Sequence, residues 1–428
     1  MKYDVIIIGG GLSGLIAGIK LVKRGFSVAI VSNGQSALHF YSGSLGLLSK
    51  INDEVVENPI EAIDRLPETH PYRKIGKERI PMLAEEAKML LSEAGLTFTG
   101  SHVKNHYRLT PFGMCEPTWL TLTDYAICMD PSEMGGKHTK IVNFKGYLDF
   151  FTGFLEEGLR RHGLECSTAE IDVPEVTRLI KNSSETRATT IARALTGRNL
   201  ETLAAHINRV AGDADVVLMP AVVGLESEQP IRQLREMVIP KLMCVPTLPL
   251  SVCGTRSQIC LRRYFEKLGG VYFLGDKVVK GFFDSNRMRE VETANMENLH
   301  LRADHFILAT GGLFSQGLLS TPDTVYEPVL GAQVIVKDNR DEWCSRNILD
   351  AQPYMEFGVD TTDDLKIKIN GETIDNVYAI GSVLGGAMPV KEGSGGGIAI
   401  FTALHVANNL NKFAHIREKL ATLNQTED

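Results

Sequence analysis

The sequence predicts an α/β fold: a Rossmann-like nucleotide-binding domain with an inserted α+β second domain. Three observations predict it. An apolar strand runs straight into a glycine turn at the N-terminus, the second half of the chain returns twice to a strand ending at glycine, and the long stretch between mixes helical periodicity with a buried strand.

The N-terminal unit comes first. Val5, Ile6, Ile7 and Ile8 form the continuous apolar run of a parallel strand covered on both faces. The spacing G-x-G-x-x-G then falls on Gly9, Gly11 and Gly14. Gly9 allows the tight turn, Gly11 lets a phosphate approach the backbone, and Gly14 lets the following helix lie close to the strand. Leu15, Ile16, Ile19 and Val22 recur at helical spacing, Gly25 ends the helix, and Phe26 to Val31 reads as the second strand. The helix start aims free N–H groups at an anion. At the end of the second strand, where a dinucleotide site usually carries a carboxylate for the adenosine ribose, Ser32 is followed by Asn33. A hydroxyl can still serve there, so FAD is weakened and not excluded.

The two returns identify the cofactor class. Ala303 to Gly312 is a strand ending in Ala309-Thr310-Gly311, preceded by a charged, alternating hairpin pattern from Asp276 to Leu301. Asn376 to Ser382 is a strand ending at Gly381, and after a loop the run Gly393-Ser-Gly-Gly-Gly397 opens a helix of Ile398, Phe401, Leu404 and Val406. A Rossmann-like FAD/NAD(P)-binding flavoprotein fold uses both. Its late strand brings a polar side chain, here Ser382, to the ribityl chain. Its glycine-rich helix start, here Gly395 and Gly396, points N–H groups at the pyrimidine edge, where negative charge develops on reduction. No second G-x-G-x-x-G follows a strand in mid-chain, so a nicotinamide partner is not expected. Electrons then come from another substrate and leave toward another protein or a quinone.

Composition excludes other classes. The 428 residues, 43% hydrophobic, suffice for two domains. A net charge of -7 without a long Lys/Arg cluster gives no reason to expect nucleic-acid binding. Apolar stretches such as Val216 to Leu225 fall far short of a spanning helix, and Asp4 with the glycine turn interrupts any N-terminal signal. A cytoplasmic protein is expected. The seven cysteines contain no C-x-x-C pair, and no His or carboxylate cluster has ligand spacing, so neither an iron–sulfur cluster nor another metal is expected.

Gly9 to Gly14, Gln35 to Leu45, Pro246-Thr-Leu-Pro-Leu-Ser-Val-Cys-Gly-Thr-Arg256, Ala309 to Gly312 and Asn376 to Gly397 together resemble the B-subunit family of bacterial anaerobic glycerol-3-phosphate dehydrogenases. The resemblance implies a complex in which an FAD-bearing A subunit, this B subunit and an iron–sulfur, membrane-attached C subunit oxidise sn-glycerol 3-phosphate to dihydroxyacetone phosphate. Electrons pass to menaquinone and on to fumarate or nitrate reduction. It also implies a cytoplasmic location, peripheral to the membrane through a partner. The family is usually assigned FMN, which fits the absent ribose carboxylate. A noncovalent flavin, FMN before FAD, is therefore expected.

The flavin domain is expected at 1–46, 269–317 and 365–428, with the insert at 47–268 and 318–364. Within the insert, Tyr147 to His162 and Leu200 to Ala211 read as helices, Thr196 to Asn199 as a polar turn and Asp215 to Met219 as a buried strand. The tail after Lys419 is expected to be disordered. Ser42, Gly43 and Ser44, in the loop after the second strand, are expected to face a flavin phosphate or ring. His39 in the same loop is a hydrogen-bonding histidine or a covalent attachment point. Arg256 meets a substrate phosphate bidentately or is a solvated arginine at a helix start. Three functions stay open: a subunit that itself dehydrogenates glycerol 3-phosphate, a flavin-binding electron-transfer or assembly subunit, and a fumarate-reductase-like flavoprotein acting on a dicarboxylate.

Overall fold

The computed structural model describes residues 1–136, 138–179, 186–296 and 299–411. The segment after Lys419 lies outside them. Contacts divide the chain into two units, one of residues 1–36, 63–90 and 262–428, the other of residues 37–62 and 91–261.

The first unit is built on β1 (Lys2–Ile8), α1 (Leu12–Lys23), β2 (Val28–Ser32) and α2 (Pro71–Ile75). It continues with β3 (Val271–Leu274), β4 (Val278–Asp284), β5 (Arg287–Thr293), β6 (Leu301–Leu308), β7 (Lys366–Ile369) and β8 (Glu372–Ala379), and ends in α3 (Pro389–Glu392) and α4 (Gly395–Asn409). An eight-stranded sheet runs β3-β2-β1-β6-β5-β4, with β8 beside β6 and β7 beside β8. Strands β3, β2, β1, β6 and β8 are mutually parallel, and the β4–β5 hairpin and β7 are antiparallel additions. The apolar run Val5–Ile8 is buried because β1 is central, with Ile7 opposite Ile30 on one side and Ile307 on the other. Helix α1 is buried at Leu15, Ile16, Ile19 and Leu21, whereas Val22 is half-buried, because α1 lies under α4.

The division differs from the expected one. Residues 63–90, 262–268 and 318–364 fall in the first unit, and 37–46 in the second. Non-local contacts draw them there. Tyr72 of α2 is fully buried, its ring 5.9 Å from that of Phe401 in α4. Gln333 donates to the Lys368 carbonyl at 2.7 Å, and Gly385 to that of Val359 at 3.2 Å.

The second unit carries a four-stranded parallel sheet in the order Glu165–Ile171, His138–Phe144, Val216–Pro220, Lys241–Val245, with small antiparallel sheets beside it. Val216–Pro220 is buried throughout, and the amphipathic helix Arg198–Ala211 buries Leu200, Leu203, Ala204 and Ile207. That helix starts after Gly197, whose φ is +56°, so the turn is shorter than expected. The helix expected from Tyr147 starts only at Thr152, because the Asn143 side chain holds the carbonyls of Tyr147 and Phe150 in a loop.

Candidate functional site

The first unit gathers most of the expected cofactor residues at the carboxyl ends of its parallel strands. Gly9 leaves β1 at φ +118°, and a Cβ there would sit 2.2 Å from the Ala309 carbonyl oxygen at the end of β6. A Cβ on Gly14 would fall 2.0 Å from the Gly9 carbonyl oxygen, so only glycine lets α1 start this close to the turn. Gly11 is different. It precedes α1 with extended backbone at φ −80°, ψ −168°, and a Cβ there would meet nothing nearer than Ser36 Cβ at 3.6 Å. The space above Gly11 is a cradle that a side chain would fill.

Ser32 ends β2, 4% exposed, its hydroxyl donating to the Gly34 carbonyl at 3.3 Å. Gly10 is packed between Ser32 and Tyr272 of β3, whose hydroxyl donates to the Gly10 carbonyl at 3.2 Å. Sequence reasoning missed Tyr272, since nothing in the pattern of β3 marks it.

The two returns meet this turn. Gly311, at φ +83°, lies beside Ser315 and Ser382, and a Cβ on Gly312 would be 2.8 Å from the Ser382 carbonyl oxygen. Gly381, at φ +73°, closes on Ser13 of α1, and its N–H donates to Thr402 Oγ1 of α4 at 2.9 Å. Gly9, Gly11, Gly14, Ser32, Thr310, Gly311, Gly381 and Ser382 therefore share one end of the sheet. Gly395 is exposed and Gly396 half-buried at the start of α4.

Three features fit a flavin. The first is the cradle at Gly11. The second is Thr310 Oγ1, buried without a hydrogen-bond partner among the described residues. The third is that neither α1 nor α4 receives a side-chain cap, so their first-turn amides are left for a ligand. These residues would take the phosphate at the Gly9–Gly14 turn and the ring's pyrimidine edge at α4.

The remaining expected residues belong to the second unit. Gly43, at φ +87°, rests on the Tyr125 ring, and its carbonyl accepts from the Leu122 amide at 2.9 Å. Ser44 Oγ lies 2.9 Å from Thr121 Oγ1, and Ser42 is half-buried. His39 is 8% exposed, and its carbonyl accepts from the Ser251 amide at 3.0 Å.

Arg256 is not a solvated helix-start residue. Its helix is Val252–Lys267, begun earlier by Ser251, whose Oγ accepts from the Gly254 amide at 3.0 Å. The guanidinium is 1% exposed, and Nη2 donates to Asp124 Oδ2 at 3.1 Å. Burial alone would lower its pKa, but Asp124 beside it raises it above the ordinary arginine value. Burial likewise pushes up the phenols of Tyr41 and Tyr125 and the thiols of Cys244 and Cys253 around it. This is a buried ion pair among protonated phenols and thiols, and Arg256 Nε and Nη1 have no hydrogen-bond partner among the described residues.

Among the described residues no group of three His, Cys, Asp or Glu side chains could hold a metal, and no helix is long and apolar enough to cross a membrane.

A family profile described as an FAD binding domain matches residues 4–398. The chain is similar along nearly its whole length to proteins named as the B subunit of anaerobic glycerol-3-phosphate dehydrogenase. The relative from Yersinia enterocolitica is 40% identical over 416 residues, covering 96% of this chain and 98% of the relative. That from Yersinia pestis bv. Antiqua is 39% identical with the same coverage, and that from Pectobacterium atrosepticum is 37% identical over 417 residues, 96% of this chain and 99% of the relative.

Proposed function

The chain belongs to the B-subunit family of anaerobic glycerol-3-phosphate dehydrogenases, within the FAD-binding flavoproteins, and from that premise we propose that it is the subunit through which electrons of sn-glycerol 3-phosphate, oxidised to dihydroxyacetone phosphate, pass by way of a bound flavin toward menaquinone. The observation that carries this reading is the end of the parallel sheet, where a glycine cradle and the uncapped start of α1 lie beside a Thr310 hydroxyl that has no hydrogen-bond partner among the described residues, with the uncapped helix α4 packed on α1. When bound, the flavin supplies a two-electron acceptor for a secondary alcohol. The chain's own residues would bind and orient it: the amides at the start of α1 would hold phosphate, Thr310 and Ser382 would offer hydroxyls along the polar chain of the cofactor, and the Gly395 and Gly396 amides would favour negative charge at the ring's pyrimidine edge.

The reading takes the flavin to be FAD. A G-x-G-x-x-G turn is built for a pyrophosphate, and the family profile is that of an FAD-binding domain. This weighs against the FMN to which the serine at position 32 points.

A second reading has its own observation. Arg256, which the sequence left open as a substrate-phosphate anchor or a solvated arginine, is 1% exposed and paired through Nη2 with Asp124, and His39 is 8% exposed. This favours an electron-transfer subunit, with the alcohol oxidised on an A-type flavoprotein partner and electrons leaving through an iron–sulfur C-type partner that also holds the complex at the cytoplasmic face of the membrane.

One experiment separates the readings. The purified, flavin-loaded chain is mixed anaerobically with glycerol 3-phosphate. Bleaching of the visible flavin absorption by the chain alone supports oxidation here, whereas bleaching only after addition of the A-type partner supports the second reading. Reduction of a menaquinone analogue by the chain alone, at the rate of the full complex, would refute the need for partners.

A further inference from the structure

Helix α4 starts in an unusual way for its sequence. Serine is among the best N-cap residues, because its hydroxyl can accept an orphan amide of the first turn. Ser394 stands at that position and does not cap. Its backbone is at φ −110°, ψ −7°, not the extended conformation of a cap, and its hydroxyl is turned away to donate to Glu392 Oε2 at 2.6 Å. The first intrahelical bond is from the Ile398 amide to the Ser394 carbonyl at 2.9 Å, so the amides before it are not used by the helix.

Glu392 is held in place from three directions. Oε1 accepts from the Met388 amide at 2.9 Å, while Oε2 accepts from Ser394 and lies 3.2 Å from His70 Nε2. His70 has no exposed surface, and its Nδ1 accepts from the Tyr72 amide at 3.0 Å. That bond fixes the tautomer. The ring proton sits on Nε2 and points at the carboxylate. The Tyr72 hydroxyl in turn donates to the Ser394 carbonyl at 3.2 Å. The hydroxyl and carbonyl of Ser394 are thus committed to Glu392 and α2 and its N–H to the Pro389 carbonyl at 3.1 Å, and among the described residues the glycine amides that follow have no partner.

We propose that His70 and Glu392 are positioning residues that withhold the Ser394 hydroxyl from α4, keeping its first-turn amides free for the pyrimidine edge of the flavin, and that the Glu392 carboxylate offsets part of the positive field of that helix start. The proposal rests on the flavin reading above. Neither residue needs to touch the cofactor. A carboxylate beside the helix start opposes the gain of negative charge on the ring, so it holds the reduction potential down.

The test uses the full chain and two readouts other than turnover: the midpoint potential of the bound flavin and its dissociation constant. Glu392→Gln keeps the shape and removes the charge. The reduced-to-oxidised ratio at fixed potential should rise about tenfold, about 30 mV for a two-electron couple. Glu392→Ala frees Ser394 to swing into the extended capping conformation, where its hydroxyl competes for the amides, and should weaken flavin binding about tenfold. Glu392→Ala combined with Ser394→Ala removes the competitor and should restore binding, a rescue that general loss of packing would not produce. An unchanged potential in Glu392→Gln together with no rescue in the double variant overturns the proposal. If Gly11→Val loses flavin while the Glu392 variants behave as wild type, the flavin reading stands and this inference falls. If the wild-type chain takes up no flavin, both fall.

Discussion

Gly11→Val separates a glycine kept for the protein from one kept for a ligand. At φ −80°, ψ −168° the backbone of Gly11 suits any L-residue, and a Cβ there meets only Ser36 Cβ at 3.6 Å. The substitution should cost the apo-protein about 1 kcal/mol, the difference between glycine and an aliphatic residue at a helix N-cap. For a unit of the size of the first, residues 1–36, 63–90 and 262–428, that is a shift of about 2–4 °C in Tm. The neighbouring Gly9→Val is the control. Its φ of +118° is strained for valine and its Cβ would lie 2.2 Å from the Ala309 carbonyl oxygen, so several kcal/mol of strain, at least ~3, should unfold or rearrange the turn. In the holo-protein the valine methyl groups of Gly11→Val occupy the space a phosphate must enter. Flavin affinity should fall at least ~100-fold, about 2.7 kcal/mol. Thermal unfolding is compared between apo forms, because bound flavin stabilises the wild type by mass action. Flavin content is read from visible absorption after gel filtration. A Gly11→Val protein that is yellow and stoichiometrically loaded would refute the assignment of the site to this turn.

Asp124→Asn should destabilise the second unit by about 3–5 kcal/mol in urea unfolding, because it leaves the 1%-exposed Arg256 charge without its counter-ion. A loss under about 1 kcal/mol would mean the pair is not buried as described. Burial depresses the His106 pKa to about 4, below the ordinary 6.5, so the unfolded chain binds the extra proton first. Stability should therefore be unaffected by this group above pH 6.5 and fall as the pH drops from 6.5 toward 4, by no more than about 3–4 kcal/mol. His106→Gln, which can still bond Thr121 Oγ1, should flatten that part of the stability profile, and an unaltered acid slope would show that the group is not responsible. Acid precipitation should release the flavin into solution, and mass spectrometry should identify it as FAD. FMN would return weight to Ser32, and flavin remaining on the peptide would point to His39.

Contiguous residues encode the local elements of this chain. A strand, a turn and a helix are written in the spacing of Val5–Ile8, Gly9, Gly11, Gly14 and Leu15, and the structure builds them there because each preference is satisfied within a few residues. The same holds for the strands that end at Leu308 and Ala379 and for the helix that opens at Gly395. Which segments join each unit, and which polar groups become partners, emerges only on folding. Residues 63–90 read as an insert, but burial of Tyr72 against α4 places them in the first unit. Arg256 read equally as a ligand anchor or a surface charge until Asp124, 132 positions away, took its guanidinium indoors. His70 meets Glu392 across 322 positions, and Tyr272 meets Gly10 across 262. No periodicity announces such pairs. A buried donor must find its acceptor wherever packing puts one, and packing is a property of the folded chain, not of any window within it.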